Sequence, residues 1–519
     1  MLSLLSRLVP SSQPVSYYKP RKIKLLSHQK TGVQFLLKRP LAGLFDIMGL
    51  GKTMQILCAM QTLIDERKID GVVVVCKRQH ADVWIDEINS HFKMPIHSVV
   101  GMPPEERKQV WPVHQHGVFI INYALLSRSL ANKQEYDKNT MLRLRNGAIL
   151  KSPDALNLAQ LLMKKRIALV LDESQYIANH KAKVTKVLHG LSYYAERRII
   201  ATGTPVAERP DNLWSQLFFV DHGNVLGPSY NSFINQHAIF VGSMRRRWIS
   251  RFTNLSSLRR KVEKVSLRRT EDDCPDLPPL VHMYSNHTAK GKQKALLSKE
   301  RRDMITSLIA MSERYLSAQK GTSFSKMLQR VLIASAMPCV LDPNVKDSAK
   351  FDELLDVLDS IGTNEQVVVW SVHRKVADAV AEQLNAMNKK VYSAELIHGG
   401  VTHNERRKRL KLFKEGGCRV LSATMATLRE AVSLPEARHG FYIQRDFSLM
   451  NWSQSQKRHH RLTSTKKVVI HVPLLQGTLD EYINNHLKEK HADAVTSTDR
   501  DVQIALDRRS LLAALKRSV

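Results

Sequence analysis

Acidic residues are scarce in this chain of 519: 48 Asp and Glu stand against 79 Lys and Arg, a formal charge of +31. An excess that large marks a polyanionic partner, nucleic acid first among them. The plainer alternative is a scattered basic surface. Cysteine is scarcer still. Cys58, Cys76, Cys274, Cys339 and Cys418 share no CxxC spacing. That argues against a zinc site and a disulfide-stapled secreted fold, and for a reducing compartment. No apolar run approaches the roughly 20 residues of a membrane span. Residues 1–18 lack the h-region and cleavage site of a secretory signal. Acid-free and carrying Ser and Arg, they read as a frayed basic N-terminus, with a short organellar presequence as the alternative. No internal repeat or low-complexity segment is visible, which excludes solenoids and propellers.

What is present is a globular composition, 43% hydrophobic and 24% charged, long enough for two to four domains. Between residues 22 and 225, short apolar runs alternate with helical patterns. The runs are Ala42–Phe45, Val72–Cys76, Val118–Ile121, Ala168–Leu171 and Arg198–Ala201. A second set occupies 346–490: Val367–Trp370, Val391–Ile397, Arg419–Leu421, Gly440–Ile443 and Val468–Val472. Short buried runs separated by helices signify a parallel sheet covered on both faces. Residues 226–345 read as a basic helical connector without clear strand alternation. Residues 1–21 form an N-terminal extension, and 491–519 a basic tail with a short helix pattern at Ile504–Leu515. The fold class is α/β, two lobes sharing a cleft at the carboxyl ends of their strands.

The segment Asp46-Ile-Met-Gly49-Leu50-Gly51-Lys52-Thr53-Met54 follows the first strand and opens an apolar helix. Gly49 and Gly51 let the backbone turn its N–H groups toward a phosphate. The helix start adds a positive dipole end. Lys52 would reach the β/γ-phosphates and Thr53 would ligate Mg²⁺. Asp46 stands where the strict GxxxxGK[ST] pattern has glycine. The metal also needs a carboxylate, and Leu169-Val-Leu-Asp172-Glu173 ends a buried strand with one. Asp172 would hold Mg²⁺ directly or through water, and Glu173 would polarise the attacking water. Together they specify an NTPase that uses Mg²⁺.

The remaining motifs resemble the Swi/Snf-type ATPases of helicase superfamily 2 over about residues 22–490. Leu26-Ser-His-Gln29 is similar to the segment whose Gln contacts adenine. Asp46–Gln55 (DIMGLGKTMQ) is close to the family's DEMGLGKTIQ. Asp172-Glu-Ser-Gln175 resembles its DEAH-type box with Gln for His. Asn122-Tyr123 resembles a nucleic-acid-facing motif. Thr202-Gly203-Thr204 resembles the motif coupling ATP state to DNA grip. Arg268-Arg269 resembles the family's inter-lobe LRR element. His398, Ser422 and Thr424 fall in second-lobe motifs assigned to DNA contact or coupling. The glycine-rich GLGINL stretch is here Leu428–Leu434, a clear departure. Gln454, Arg458 and Arg461 match the last motif. Arg458 and Arg461, three apart, would neutralise γ-phosphate charge as arginine fingers, with a solvated basic run as the alternative. Gln454 would contact nucleotide or position Arg458.

The resemblance implies two RecA-like lobes in a monomeric motor that grips duplex or branched DNA through its backbone, without sequence specificity. Branch migration, fork regression or strand reannealing is the expected activity. Chromatin remodelling is the alternative in the same class; an RNA helicase or a non-catalytic scaffold are the others. The expected location is intracellular: the cytoplasm of a prokaryotic or phage-infected cell, or a eukaryotic nucleus.

Overall fold

The computed structural model describes residues 23–496, apart from 112–115, 132–133, 135, 204, 207–209, 244–245, 271–272, 275–276, 314–320, 389–390, 429–431 and 461–466. The N-terminal extension, the helix pattern at 504–515, Thr204 and Arg461 therefore lie outside the described residues.

Seventeen strands are described. In the first half they are β1 (Leu41–Leu44), β2 (Gly71–Cys76), β3 (Ile96–Ser98), β4 (Gly117–Asn122), β5 (Leu142–Arg143), β6 (Ile149–Leu150), β7 (Ile167–Asp172), β8 (Arg197–Ala201), β9 (Ala238–Ser243), β10 (Arg246–Phe252) and β11 (Ser266–Leu267). The second half holds β12 (Leu280–His287), β13 (Val367–Ser371), β14 (Ala394–Ile397), β15 (Val420–Thr424), β16 (His439–Tyr442) and β17 (Val468–Leu475). Seven form a parallel sheet in the order β11-β1-β8-β7-β2-β4-β3, and six form a second in the order β12-β17-β16-β13-β15-β14.

Burial explains why the apolar runs become strands. Every residue of β2 is buried. Val73 and Val75 pack into one core with Phe119 and Leu169, while Val72 and Val74 pack into another with Val118 and Val170. Alternate residues thus serve opposite faces of one sheet, each face covered by helices. The second lobe repeats the pattern: Val367 and Val369 face one core, Val368 and Trp370 the other.

The segment read as a strandless connector is resolved differently. β9 and β10 form an antiparallel hairpin on the first lobe, with Ala238 and Phe252 in its core and Ile239 and Val241 exposed. β11 adds to the edge of the first sheet, and β12 pairs along eight residues with β17 in the second. The first lobe therefore extends to Leu267 and the second sheet begins at Leu280. The helical part of that reading matches Tyr230–His237, Leu255–Glu263, Gly291–Glu313 and Gly321–Ala336; the strands escaped it because they are edge strands. With one neighbour each, they carry polar residues such as His282, Ser285 and Asn286 in place of a continuous apolar run.

Candidate active site

Sheet order assembles the site. β1, β8 and β7 are neighbours, so the turns leaving their carboxyl ends converge. β1 leads into the phosphate loop, β7 ends at Asp172, and β8 leads to Thr202-Gly203.

The loop reverses direction through two left-handed glycines, Gly49 at φ 93° and Gly51 at φ 70°. Gly51 precedes the helix Lys52–Asp65. A Cβ on Gly51 would lie 2.5 Å from Gln29 Nε2, so the Gln29 side chain closes over the loop. Its Oε1 accepts from Leu26 N at 3.1 Å, holding the amide in place. His28 Nε2 donates to the Leu50 carbonyl at 3.2 Å. The Leu50 side chain is fully buried and Met54 packs on the core, so these two residues shape the cradle from below. Thr53 sits partly buried in the first helical turn. Lys52 Nζ donates to the carbonyls of Asp46 (2.8 Å) and Ile47 (3.3 Å), arching across the loop.

Asp172 Oδ2 accepts from His80 Nδ1 and from Trp84 Nε1, both at 3.0 Å. Burial would raise this carboxyl, but the His80 hydrogen bond and charge, the Trp84 bond and the Lys52 charge hold it below the ordinary range. On His80, burial opposes protonation, but the Asp172 bond together with the charges of Asp172 and Glu173 outweighs it and raises the imidazole. The charge of Arg458, from the second lobe, also acts on His80. Arg458 lies on the helix Leu449–His459.

Glu173 adopts a left-handed backbone, φ 53° and ψ 56°, at the start of the turn Ser174–Ile177. Gln175 occupies the histidine position of the DEAH-type box and bridges two motifs. Its Nε2 donates to Glu173 Oε2 at 2.9 Å, and its Oε1 accepts from Thr202 Oγ1 at 2.7 Å. Gly203 packs against Met48 of the phosphate loop, where a Cβ would come within 2.8 Å of Met48 Cγ.

Several residues expected to face nucleic acid are turned inward. Asn122 is 8% exposed and caps the helix Tyr123–Ser127, its Oδ1 accepting from Leu125 N. Tyr123 is 6% exposed, and its hydroxyl donates to the Asp172 carbonyl oxygen at 2.8 Å. Ser422 Oγ donates to Ala377 O, and Thr424 Oγ1 to Thr427 Oγ1, both from buried side chains. Arg269 is buried against Asp46, whereas Arg268 beside it is exposed. In this structure the hydrogen bonds of these buried side chains are made within the fold, an arrangement that suits coupling between motifs more than direct contact with a DNA phosphate. His398 shapes a turn: Nε2 lies 3.0 Å from Asp378 Oδ1, and Nδ1 accepts from Gly400 N.

Across the cleft, Arg458 is buried, its Nε donating to the Gln454 carbonyl and Nη1 to the Val432 carbonyl. The Gln454 side chain is buried too. The departure at Leu428–Leu434 thus has a local role: its backbone holds Arg458 in place, and Leu434 N donates to the Arg458 carbonyl. His80, Gln55 and the Arg269–Asp46 pair went unnoticed in the sequence. Only the acid at position 46, an ionisable group in an otherwise apolar loop, hinted that a buried partner was needed.

The residues fit a magnesium nucleotide. Gly49 and Gly51 supply a loop that a side chain would fill, Lys52 a cation, and Thr53 with Asp172 the hard oxygen donors Mg²⁺ takes.

Comparison with known proteins bears on the same residues. Residues 28–339 match the SNF2-related domain, and 349–463 the helicase conserved C-terminal domain. Zorya protein ZorD of Escherichia coli O139:H28 is 25% identical over 510 residues, 91% of this chain and 44% of that protein. The SWI/SNF-related matrix-associated actin-dependent regulator of chromatin subfamily A-like protein 1 of Drosophila melanogaster is 24% identical, covering 93% of this chain and 57% of its own. The DNA annealing helicase and endonuclease ZRANB3 of Mus musculus is 24% identical, covering 90% and 40%. The chain spans about half the length of these relatives. The solved Sulfolobus solfataricus SWI2/SNF2 ATPase core in complex with dsDNA covers 94% of this chain and 96% of its own at 19% identity, with a TM-score of 0.40. The chain belongs to the SNF2-related family, with a helicase C-terminal domain as its second lobe.

Proposed function

We propose that the protein is an ATP-driven translocase on duplex or branched DNA, working as a monomer inside the cell, and that it serves branch migration, fork regression or strand reannealing. One observation carries the ATPase part: phosphate loop, Asp172-Glu173 and Thr202-Gly203 leave neighbouring strands of one sheet. Bound Mg²⁺ would neutralise phosphate charge. Thr53 and Asp172 would hold that ion. Lys52 exchanges its carbonyl partners for the β/γ-phosphates, and Gln29 bounds the loop on the side assigned to adenine. Glu173, oriented by Gln175, polarises the attacking water. Arg458 approaches as the lobes close, and Arg461 is assigned the same role by its position in the motif. Closure on nucleotide and opening after hydrolysis would alternate the grip of the two lobes on a DNA backbone.

The DNA part is supported by the +31 charge and by the printed names of relatives such as the DNA annealing helicase ZRANB3. Exposed basic side chains are available for the backbone, among them Arg268 and the helix His403–Lys414. The test is ATP turnover with duplex, single strand, fork, four-way junction and RNA, followed by junction migration with the same preparation. Stimulation by duplex or junction, abolished by Lys52→Ala, is the expected result. Stronger stimulation by RNA would overturn the DNA assignment. Nucleosome sliding without junction migration would favour the remodelling alternative.

A further inference from the structure

We infer that Arg269 is a positioning residue that locks the nucleotide loop to the strand by which the chain leaves the first lobe. The inference rests on the ATPase reading above and adds the device that ties nucleotide binding to the inter-lobe crossing.

The connection starts in the backbone. Gly43 N donates to Val265 O (2.8 Å), Phe45 N to Leu267 O (2.7 Å) and Ile47 N to Arg269 O (3.1 Å). Pairing between β1 and β11 therefore continues beyond both strands into the phosphate loop. The Arg269 side chain then closes the unit. Its Nε donates to Asp46 Oδ1 at 2.9 Å and its Nη2 to Gln55 Oε1 at 2.7 Å. Nη2 also pairs with Asp46 Oδ2, and Nη1 donates to the His28 carbonyl. One guanidinium so joins four places: the loop entrance, the helix Lys52–Asp65, the segment carrying Gln29, and the strand leading to the second lobe.

The neighbourhood is built around this arrangement. Asp46 is fully buried and Arg269 is 8% exposed. Gln55 Nε2 donates to the Leu50 carbonyl, so the amide braces the middle of the loop while receiving Arg269. Gly32 leaves the room: a Cβ there would lie 1.7 Å from Gln55 Oε1 and 2.8 Å from Arg269 Nη2. Asp46 therefore occupies the position of the usual first glycine for a reason. Its carboxylate is the acceptor for the planar five-donor fork that only arginine supplies. A shift of the loop on nucleotide binding moves Asp46 and Gln55, and through them residue 269, eleven positions before β12 begins the second sheet.

The test compares Arg269→Gln, Arg269→Lys and the double variant Asp46→Asn with Arg269→Gln in the full chain. Three quantities are measured: thermal unfolding, affinity for a fluorescent ATP analogue, and ATP turnover with and without duplex DNA. The expected result for Arg269→Gln is nucleotide affinity lower by about tenfold and loss of most of the DNA stimulation. Arg269→Lys falls between, because an ammonium cannot reach all the acceptors at once. If Arg269→Gln leaves Asp46 unpaired and the protein unfolds, the double variant removes that buried charge and carries the comparison. A folded double variant with weakened nucleotide binding and weakened stimulation supports the inference. Normal nucleotide affinity and normal stimulation in a folded variant overturn it, whatever the change in melting temperature. A wild-type chain that binds the analogue but does not turn ATP over refutes the ATPase reading, while the affinities still report on Arg269.

Discussion

Gln175 offers the sharpest test of the chemistry at the cleft. It takes a hydrogen bond from Thr202 at 2.7 Å and gives one to Glu173 at 2.9 Å. The second is charge-assisted, and such a bond contributes about 1.5–3 kcal/mol. The backbone of Glu173 is left-handed, a conformation costing on the order of 1–3 kcal/mol in a non-glycine residue. Its side chain therefore depends on neighbours to keep one orientation. In Gln175→Ala the carboxylate loses its donor and Thr202 its acceptor. If the whole bond energy serves the transition state, kcat falls by about 10–150-fold. The bonds of Gln175 run to Glu173 and Thr202, so KM for ATP should stay within about twofold. Gln175→His should retain most activity, since a neutral imidazole can donate at one nitrogen and accept at the other. The assay is steady-state ATP turnover at saturating duplex, with circular dichroism confirming the fold. A folded alanine variant with wild-type kcat would refute the role assigned to the bridge.

Tyr123→Phe removes the bond to the Asp172 carbonyl and should cost about 1 kcal/mol of stability while leaving DNA affinity unchanged in a fluorescence-anisotropy titration. A large loss of affinity would restore Tyr123 to the DNA surface. Gly51→Ala places a Cβ against Gln29 in a left-handed backbone and should abolish measurable nucleotide binding by calorimetry, with the second lobe intact by limited proteolysis. Burial pushes His459 down to about 4 from 6.5, and its Nε2 accepts from Trp370 Nε1 at 2.9 Å. The folded value lies below the unfolded one. Its contribution is complete above pH 6.5 and is lost as pH falls toward 4. The loss is about 2 kcal/mol at pH 5, to be read from urea unfolding at pH 7.5 and 5. A His459→Gln variant with the same pH dependence would contradict this.

Local signals were legible in the sequence and distant pairings were not. Gly71–Cys76 announces itself because a strand buried on both faces has no polar position. The phosphate loop and Asp172-Glu173 are contiguous motifs, so spacing and flanking strands suffice to recognise them. Asp46 and Arg269 are 223 residues apart. Nothing along the chain shows that the acid replacing glycine and the second arginine of the LRR-like element share one hydrogen-bond system. Asn122-Tyr123 illustrates a different limit. The motif is recognisable, but whether its side chains point to solvent or under Asp172 depends on how the helix Tyr123–Ser127 packs. β12 was missed for a third reason: its pattern is that of an edge strand, and its partner β17 lies nearly two hundred residues on.

The crossing between lobes has a thermodynamic consequence. Residues 268–279 join β11 to β12, and each of those strands is paired into its own sheet. Twelve residues, fully stretched, reach no further than about 43 Å. A partner held on so short a tether experiences an effective concentration on the order of millimolar. Bringing Arg458 toward Asp172 is then a unimolecular equilibrium. Turnover per molecule should be the same at nanomolar and micromolar protein, and a chain cut within 268–279 should lose that independence, its two halves meeting only as fast as dilution allows.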